Sequence, residues 1–225
     1  VDSAGWCGHA SGPSIAVWFG DGRRGQTIGR MPGVPFKSED SVHQRRGDDG
    51  VSVVTSCTRG PLTLTVHHWP IILEGLVAWV VYAKIELGGP AARPVRLGFA
   101  IRPACVDGSS PIFDLQRNSE GLWTSDDTPI LAMSHHGDEL LDGSHGRADP
   151  FHRFSGTVYS GPAIASGPLN VRCPAGQATA TEVFRTTLSP GQPFARFAVF
   201  RPPPGTPATL VRTSGASLWT GALAD

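Results

Sequence analysis

Hydrophobic and polar residues alternate along much of the chain, in short segments that are typical of β-strands. The segments "LTLTVHH" (62–68) and "ATATEVFRTTL" (178–188) carry apolar residues at alternate positions, which predicts one buried and one solvated face. By contrast, "VAWVVYA" (77–83) is apolar at consecutive positions, so we expect this strand to be covered on both faces. Gly, Pro, Asp and Ser clusters separate the segments and favour turns.

The same criteria predict eleven strands and no helix. The strands are expected at 13–19, 50–58, 62–70, 75–87, 94–103, 110–115, 129–134, 169–174, 178–188, 193–202 and 208–213. The best helical candidate, "HGDELLDGSHG", is too short and too often interrupted by glycine. The sequence therefore predicts an all-β single domain over residues 1–225, built as a large two-sheet antiparallel β-sandwich.

Composition supports this prediction and excludes some partners. The 28 glycines and 20 prolines are too many for a helical protein, and 40% hydrophobic residues can form a substantial core. The 19 basic and 19 acidic residues balance, without a basic block, so we expect no nucleic acid partner. The longest apolar run, 75–83, is too short to cross a bilayer, so we expect no membrane partner. The chain begins at Val1, which indicates a processed protein or an excised fragment.

The four cysteines, Cys7, Cys57, Cys105 and Cys173, are widely spaced and form no C-x-x-C pair. A zinc ribbon or thioredoxin-like site is therefore not expected. Free thiols are favoured, because each cysteine lies in or beside an apolar strand. One or two disulfides are the alternative, with three connectivities if all four pair.

No motif predicts a cofactor. The formal G-x-G-x-x-G at 20–25 precedes "QTIGRMPGVP", which cannot form the helix that a dinucleotide site needs. An Asp-Gly hairpin turn explains these glycines better. The chain has neither a G-x-S-x-G elbow nor a P-loop. The acidic pairs Glu39-Asp40, Asp48-Asp49 and Asp126-Asp127 fit turns better than the separated carboxyls of a glycosidase.

The histidine-rich segment "MSHHGDELLDGSHGRADPFH" (133–152) is the candidate for a metal site. Its possible ligands are His135, His136, Asp138, Asp142, His145, Asp149 and His152. It lacks H-E-x-x-H and the EF-hand pattern, so a solvated loop without metal is favoured.

Tryptophan and histidine supply the candidate binding residues. An exposed indole can stack on the apolar face of a sugar ring, and Trp69 and Trp123 both lie beside turns. His68 precedes Trp69 and completes the candidate carbohydrate-binding set of Trp69, Trp123 and His68. His67 and His68 should face opposite sides of their strand, and either could act as a general base with Glu182. Trp18 and Trp79 are expected in the core.

Arg102 and Pro103 end one predicted strand. Proline cannot donate to a sheet ladder, so the stretch from Gly108 to Pro111 should turn the chain. The next strand is expected to begin at Pro111-Ile112. Arg102 is then expected to tether this connection rather than to bind substrate.

Several segments, in order from about Val17 to Pro204, carry a resemblance to a known family. They are "VWFGDGR", "GVP", "DDGVSVVTSCTRG", "LGFAIRPACVDGSSPIFDL", "GLW" and "GQATATEVFRTTLSPGQPFARFAVFRPP". The chain resembles the β-supersandwich domain, with a galactose-mutarotase-like fold, that precedes the (α/α)6 catalytic barrel in glucoamylase- and debranching-type glycoside hydrolases. In that family the catalytic carboxylates belong to the barrel, so the resemblance assigns no catalytic residue here.

The resemblance implies a non-catalytic accessory domain that braces a catalytic (α/α)6 barrel and contacts an oligo- or polysaccharide. Two alternatives remain open. One is a sugar epimerase or lyase-like enzyme on the same sandwich, and the other is a lectin-like carbohydrate-binding module.

Overall fold

The computed structural model describes residues 7–8, 12–21, 27–28, 41–105, 108–143, 164–165 and 167–205. These residues form strands and contain no helix, which confirms the prediction of an all-β chain. The described strands are β1 (Cys7–Gly8), β2 (Ser14–Asp21), β3 (Thr27–Ile28), β4 (Ser41–Arg46), β5 (Val53–Arg59), β6 (Leu62–Leu73), β7 (Leu76–Leu87), β8 (Arg93–Arg102), β9 (Ala104–Cys105), β10 (Gly108–Ser109), β11 (Asp114–Arg117), β12 (Leu122–Ser125), β13 (Thr128–Met133), β14 (Glu139–Gly143), β15 (Ile164–Ala165), β16 (Leu169–Arg172), β17 (Thr179–Leu188) and β18 (Phe194–Phe200).

Two large antiparallel sheets contain nearly all of these strands. The seven-stranded sheet has the order β1-β2-β8-β17-β14-β15, with β3 beside β2. The nine-stranded sheet has the order β16-β11-β12-β13-β18-β7-β6-β5-β4, and β9 pairs with β10 in a small hairpin. The described part of the chain contains no helix that could cross a lipid bilayer.

A single hydrophobic core between the sheets confirms the two-sheet sandwich. Phe99 and Phe184 of the seven-stranded sheet meet edge to face, with ring centroids 6.2 Å apart. Ile85 and Phe200 of the nine-stranded sheet are buried in the same cluster. Burial of each such side chain contributes about 1.5–3 kcal/mol to the free energy of folding.

The burial pattern of β6 and β7 follows the hydrophobic pattern of the sequence. In β6, alternate residues from Leu62 to His68 are buried, as the alternation predicts. In β7, Val81 faces the core between the sheets, whereas Val80 packs into a second apolar cluster on the outer face of the nine-stranded sheet. The expectation that β7 is covered on both faces is confirmed for residues 80–83, but it is wrong for Val77, which is exposed near the start of the strand.

Strand β17 differs from its predicted pattern. Its first six residues, Thr179–Phe184, are all buried, so the expectation of a solvated face is wrong for this half. The reason is its central position between β8 and β14, where Val183 packs with Ala16 and Trp18 on the outer face of the sheet. Trp18 is buried, as predicted, and Trp79 is partly buried against the core between the sheets.

The chain after Pro103 follows a different course from the predicted one. Instead of a strand from Pro111, β9 and β10 form a hairpin, and Ile112 makes one parallel bridge with Gln177. The backbone groups of Ile112 bond to Gly176 and Ala178, so the segment cannot enter the sheet before Asp114. The guanidinium carbon of Arg102 lies 5.6 Å from the centroid of the Trp18 ring, so Arg102 packs against this indole.

Three further predictions concern loops and turns. The histidine-rich segment was expected to be a loop, but it contains β14, because residues 139–143 pair with β17. Asp126 and Asp127 form the turn between β12 and β13, as predicted, with φ of 48° and 64°. β2 and β3 pair antiparallel, but residues 22–26 between them lie outside the described residues, so the Asp-Gly turn stays a prediction. The predicted strand at 208–213 and the pair Glu39-Asp40 lie outside the described residues.

Asp49 closes the turn that follows β4. Its Oδ1 accepts hydrogen bonds from the backbone of Ser52 at 2.8 Å and of Val51 at 3.0 Å. These bonds, led by the one from Ser52, lower the pKa of the Asp49 carboxyl. The pair Asp48-Asp49 is thus part of a turn, as predicted.

Two cysteines can be placed. Cys57 and Cys173 are buried and neither is part of a disulfide, which agrees with the preference for thiols. The side chains of Cys7 and Cys105 lie outside the described residues.

Candidate functional site

A buried ion pair between Arg117 and Glu182 joins the two sheets. Arg117 ends β11 in the nine-stranded sheet, and Glu182 lies in the middle of β17 in the seven-stranded sheet. The Nε atom of Arg117 is 3.2 Å from Oε2 of Glu182, and its Nη2 atom is 2.9 Å from Oε1. Both side chains are fully buried. The pair is therefore bidentate, which is the strongest geometry available to these two groups.

Further donors complete the environment of Glu182. The indole nitrogen of Trp123 donates to Oε2 at 3.0 Å, and the backbone N–H of Gly137 donates to Oε1 at 2.7 Å. With the two bonds from Arg117, the carboxylate accepts four hydrogen bonds. A buried charge is tolerated only when it is paired and hydrogen-bonded in this way.

Arg117 also reaches two other groups. Its Nη1 atom donates to the carbonyl of Gly167 at 2.8 Å, and its Nη2 atom lies 2.8 Å from Nδ1 of His136. Because a guanidinium has donors only, His136 accepts through Nδ1, and the proton of the neutral ring lies on Nε2. The network thus runs from the buried Glu182 to the exposed His136.

The local sequence explains this arrangement. Arg117 and Trp123 are direct partners across β11 and β12, so their side chains share the face that points to the core. Gly137 allows the backbone to approach Glu182, since a Cβ atom at this position would lie 2.5 Å from Cγ of Glu182. A Cβ atom at Gly121 would lie 3.4 Å from Nη2 of Arg117.

Trp123 is not where the sequence suggested. Its side chain is only 1% exposed, so the expectation of an exposed indole beside a turn is wrong. Trp123 is paired directly with Arg117, so its side chain points inward, where the indole N–H donates to Glu182. A buried indole offers no face for a sugar ring to stack on.

His68 is also buried rather than exposed. It lies on the core face of β6 and is 0% exposed, and neither ring nitrogen has a hydrogen-bond partner of normal geometry in the described structure. Burial, together with nearby positive charge that includes His67, lowers the pKa of His68 to about 3, and the Val53 backbone opposes this shift. The ring is therefore neutral at pH 7 and inaccessible to a ligand.

His67 faces the opposite side of β6, as the strand geometry predicted. Its ring meets Tyr82 edge to face, with centroids 6.0 Å apart. The pKa of His67 is lowered, first by burial and then by the positive charges of Lys84 and Arg45. Glu182 receives its hydrogen bonds from Arg117, Trp123 and Gly137, so it is not paired with His67 or His68.

Trp69 occupies the outer face of the nine-stranded sheet. It is partly buried and packs against an apolar cluster that includes Val80, its direct partner on β7. Sugar binding by Trp69 stays a prediction, since part of its indole is accessible.

A polar cleft of about 540 Å³ opens on the same sheet, at the β16 edge. We call it the amide cleft. Its lining consists of Gln116, Arg117, Asn118, Leu122, Thr124, Asp127, Pro168, Leu169 and Asn170. Gln116 lies directly opposite Asn170 on one side and Thr124 on the other. Direct partners project from the same face, so the three side chains form a row across three strands.

An apolar row connects the cleft with Trp69. Direct pairing relates Leu122 to Ala132, then to Val199, Val80 and Trp69, in five adjacent strands. Four strand spacings give about 19 Å between the ends of the row. The amide cleft and Trp69 thus belong to one face of the sheet.

The cleft residues were missed in the sequence. The available signal was the alternation within two short strands. In these strands the polar residues Gln116 and Asn170 each stand next to an apolar residue that faces inward. Nothing local indicates that these two strands pair.

Most of the possible metal ligands have other partners or cannot be placed. His136 contacts Arg117, and Oδ2 of Asp138 accepts the backbone N–H of Arg185 at 2.6 Å. In the part of the chain that can be described, no group of three or more His, Cys, Asp or Glu residues could hold a metal ion. His145, Asp149 and His152 lie outside that part.

In comparisons with known proteins, the chain matches no protein-family model, and no curated protein is significantly similar to it. The resemblance to the β-supersandwich domains stays a prediction.

Proposed function

We propose that the chain is a non-catalytic accessory domain of a carbohydrate-active enzyme. In this proposal it is a β-supersandwich of the type found beside the (α/α)6 barrel of glycoside hydrolases, where it braces the barrel and contacts glycan. The two-sheet antiparallel fold and the ordered motifs between Val17 and Pro204 support this assignment.

The observation that carries the proposal is the state of Glu182. A general acid or base must exchange a proton with a ligand, so it must be reachable from the ligand site. Glu182 is 1% exposed, and four donors of the chain itself occupy its two oxygens. Such a carboxylate holds sheets together and is a poor candidate for catalysis.

No comparable observation supports the epimerase or lyase-like alternative. It would use His67 or His68 with Glu182, yet His68 is buried in the core and His67 faces the outside of the sandwich. The lectin-like alternative is favoured by one observation, namely that Trp69 and the amide cleft share one face of the nine-stranded sheet.

A turnover assay tests the proposal. The purified full chain is incubated with amylose and maltoheptaose, and new reducing ends are counted against a barrel-containing glucoamylase as positive control. We expect no turnover, and hydrolysis that co-elutes with the pure chain would refute the accessory role. Titration with maltose, followed by tryptophan fluorescence, separates a binding module from a purely bracing one.

A further inference from the structure

We propose that the amide cleft binds a short neutral oligosaccharide that lies across β16, β11 and β12. The inference rests on the proposed function and deepens it, because it names a site and a class of ligand. The cleft volume of about 540 Å³ is within the range of small-ligand sites. The row formed by Asn170, Gln116 and Thr124 covers two strand spacings, or about 10 Å.

The hydrogen-bonding capacity of the cleft is open to a ligand. In the described structure, the side chains of Gln116, Thr124, Asp127 and Asn170 make no hydrogen bond or ion pair with the protein. Amide and hydroxyl groups each offer donors and acceptors, and a carboxylate accepts. Sugar hydroxyls likewise donate and accept, so a row of such groups matches the edge of a sugar chain.

The charges of the cleft favour a neutral ligand. Among the described residues of the lining, Arg117 is the one cation, and its guanidinium is occupied by Glu182, His136 and Gly167. On the adjoining edge, Arg172 pairs with Asp114 at 3.2 Å. The carboxylate of Asp127 would repel an anionic ligand, and the part of the lining that the structure describes has no available cation to offset this effect.

The cleft is held in shape by its surroundings. Asp127 belongs to the two-residue turn after β12, and Oδ1 of Asp126 anchors that turn to the backbone of Phe113 at 3.2 Å and of Asp114 at 2.9 Å. The bond from Arg117 to Gly167 fixes the chain just before Pro168. A site that is already ordered loses less conformational entropy when a ligand binds.

Apolar groups complete the match. Leu169 of the lining packs against the core between the sheets, but Leu122 and Pro168 lie beside the amides. They can contact the C–H faces of sugar rings, whereas the polar row contacts the hydroxyls. A charged or purely apolar ligand would satisfy only one of these two sets of groups.

The test is an NMR titration of the ¹⁵N-labelled full chain with four neutral trisaccharides: maltotriose, cellotriose, xylotriose and N,N′,N″-triacetylchitotriose. The readout is the side-chain amide signals of Gln116 and Asn170, assigned by their loss in Gln116→Ala and Asn170→Ala. We expect saturable shifts with at least one trisaccharide. Each variant should weaken its binding about 2- to 10-fold, as the loss of one hydrogen bond predicts. Gln192→Ala, at the turn between β17 and β18, is the matched control and should bind normally.

Three outcomes would overturn the inference. The first is that none of the four trisaccharides shifts the two amide signals. The second is that binding occurs but survives both substitutions in variants that keep the wild-type melting temperature. The third is that a neutral Gly-Ser hexapeptide shifts these signals and the sugars do not. The turnover assay separates the two proposals. If no sugar binds, the bracing role still stands. If the chain binds a sugar and also turns it over, the accessory role fails but the cleft remains a sugar site.

Discussion

Arg117 and Glu182 form a bidentate ion pair across the sandwich, although 65 positions separate them in the sequence. The pair attaches β11, next to the β16 edge of the nine-stranded sheet, to the central strand β17 of the other sheet. The back of the amide cleft therefore depends on a buried charge that the opposite sheet supplies.

Removing the charge of Glu182 should strongly destabilise the fold. In Glu182→Gln, Arg117 stays buried without a counter-charge, which costs about 3–5 kcal/mol in the free energy of unfolding. Urea denaturation at pH 7 measures this loss. The control is Glu86→Gln, which breaks the more exposed pair with Lys84 and should cost less than about 1 kcal/mol. Similar losses in both variants would show that the buried pair has no special role.

Residues 117 and 182 should be energetically coupled. In a double-mutant cycle of Arg117→Met and Glu182→Met, the double variant avoids the isolated buried charge that each single variant leaves behind. We therefore expect a coupling energy of at least about 2 kcal/mol. The double variant should still be less stable than the wild type, since Trp123 and Gly137 lose their acceptor. Strictly additive losses would contradict the ion pair.

Gly137→Ala should destabilise the chain by about 1–3 kcal/mol, because the added methyl group meets packed atoms. Its Cβ would lie 2.5 Å from Cγ of Glu182 and 2.9 Å from the carbonyl oxygen of Val183. Gly88→Ala is the matched control, since its Cβ would be 3.6 Å from the nearest atom, the carbonyl oxygen of Pro61. Thermal denaturation of both variants checks the difference, and equal melting temperatures would disprove the close approach at Gly137.

Stability should fall as the pH drops below about 6.5, because of His68. Its pKa is lowered to about 3 in the folded chain, so the unfolded chain binds a proton at a higher pH than the folded chain does. The free energy of unfolding then falls by up to about 1.4 kcal/mol per pH unit from this group, until the pH approaches 3. Urea denaturation at pH 7, 6 and 5 measures the slope. His68→Leu should flatten it, and an unchanged slope would exclude His68 as the cause.

The sequence predicted the long strands better than the short ones. β6 and β7 each carry enough apolar residues to reveal their period, and their observed bounds lie close to the predicted ones. β12 and β14 have only four and five residues, and their pairing partners supply much of their stability. Local patterns cannot show this support.

The site residues were harder to predict, because orientation depends on register. Trp123 lies beside a turn, but a shift of one residue decides whether it faces solvent or the core. The row of Asn170, Gln116 and Thr124 depends on the pairing of β11 with β16, strands far apart in the sequence. His67 and His68 were correctly separated, since alternation within one strand is a local property.

The central proposal is that the chain is an accessory domain without catalytic activity of its own. The most direct test is a time course of proton NMR spectra of the purified full chain with maltoheptaose, freshly dissolved α-glucose and an oligoglucuronate. These spectra report hydrolysis, anomer conversion and elimination in one experiment. We predict spectra identical to those of a blank without protein at all times. Any conversion that scales with the concentration of the chain, and persists in the gel-filtration peak of the monodisperse protein, would contradict the account.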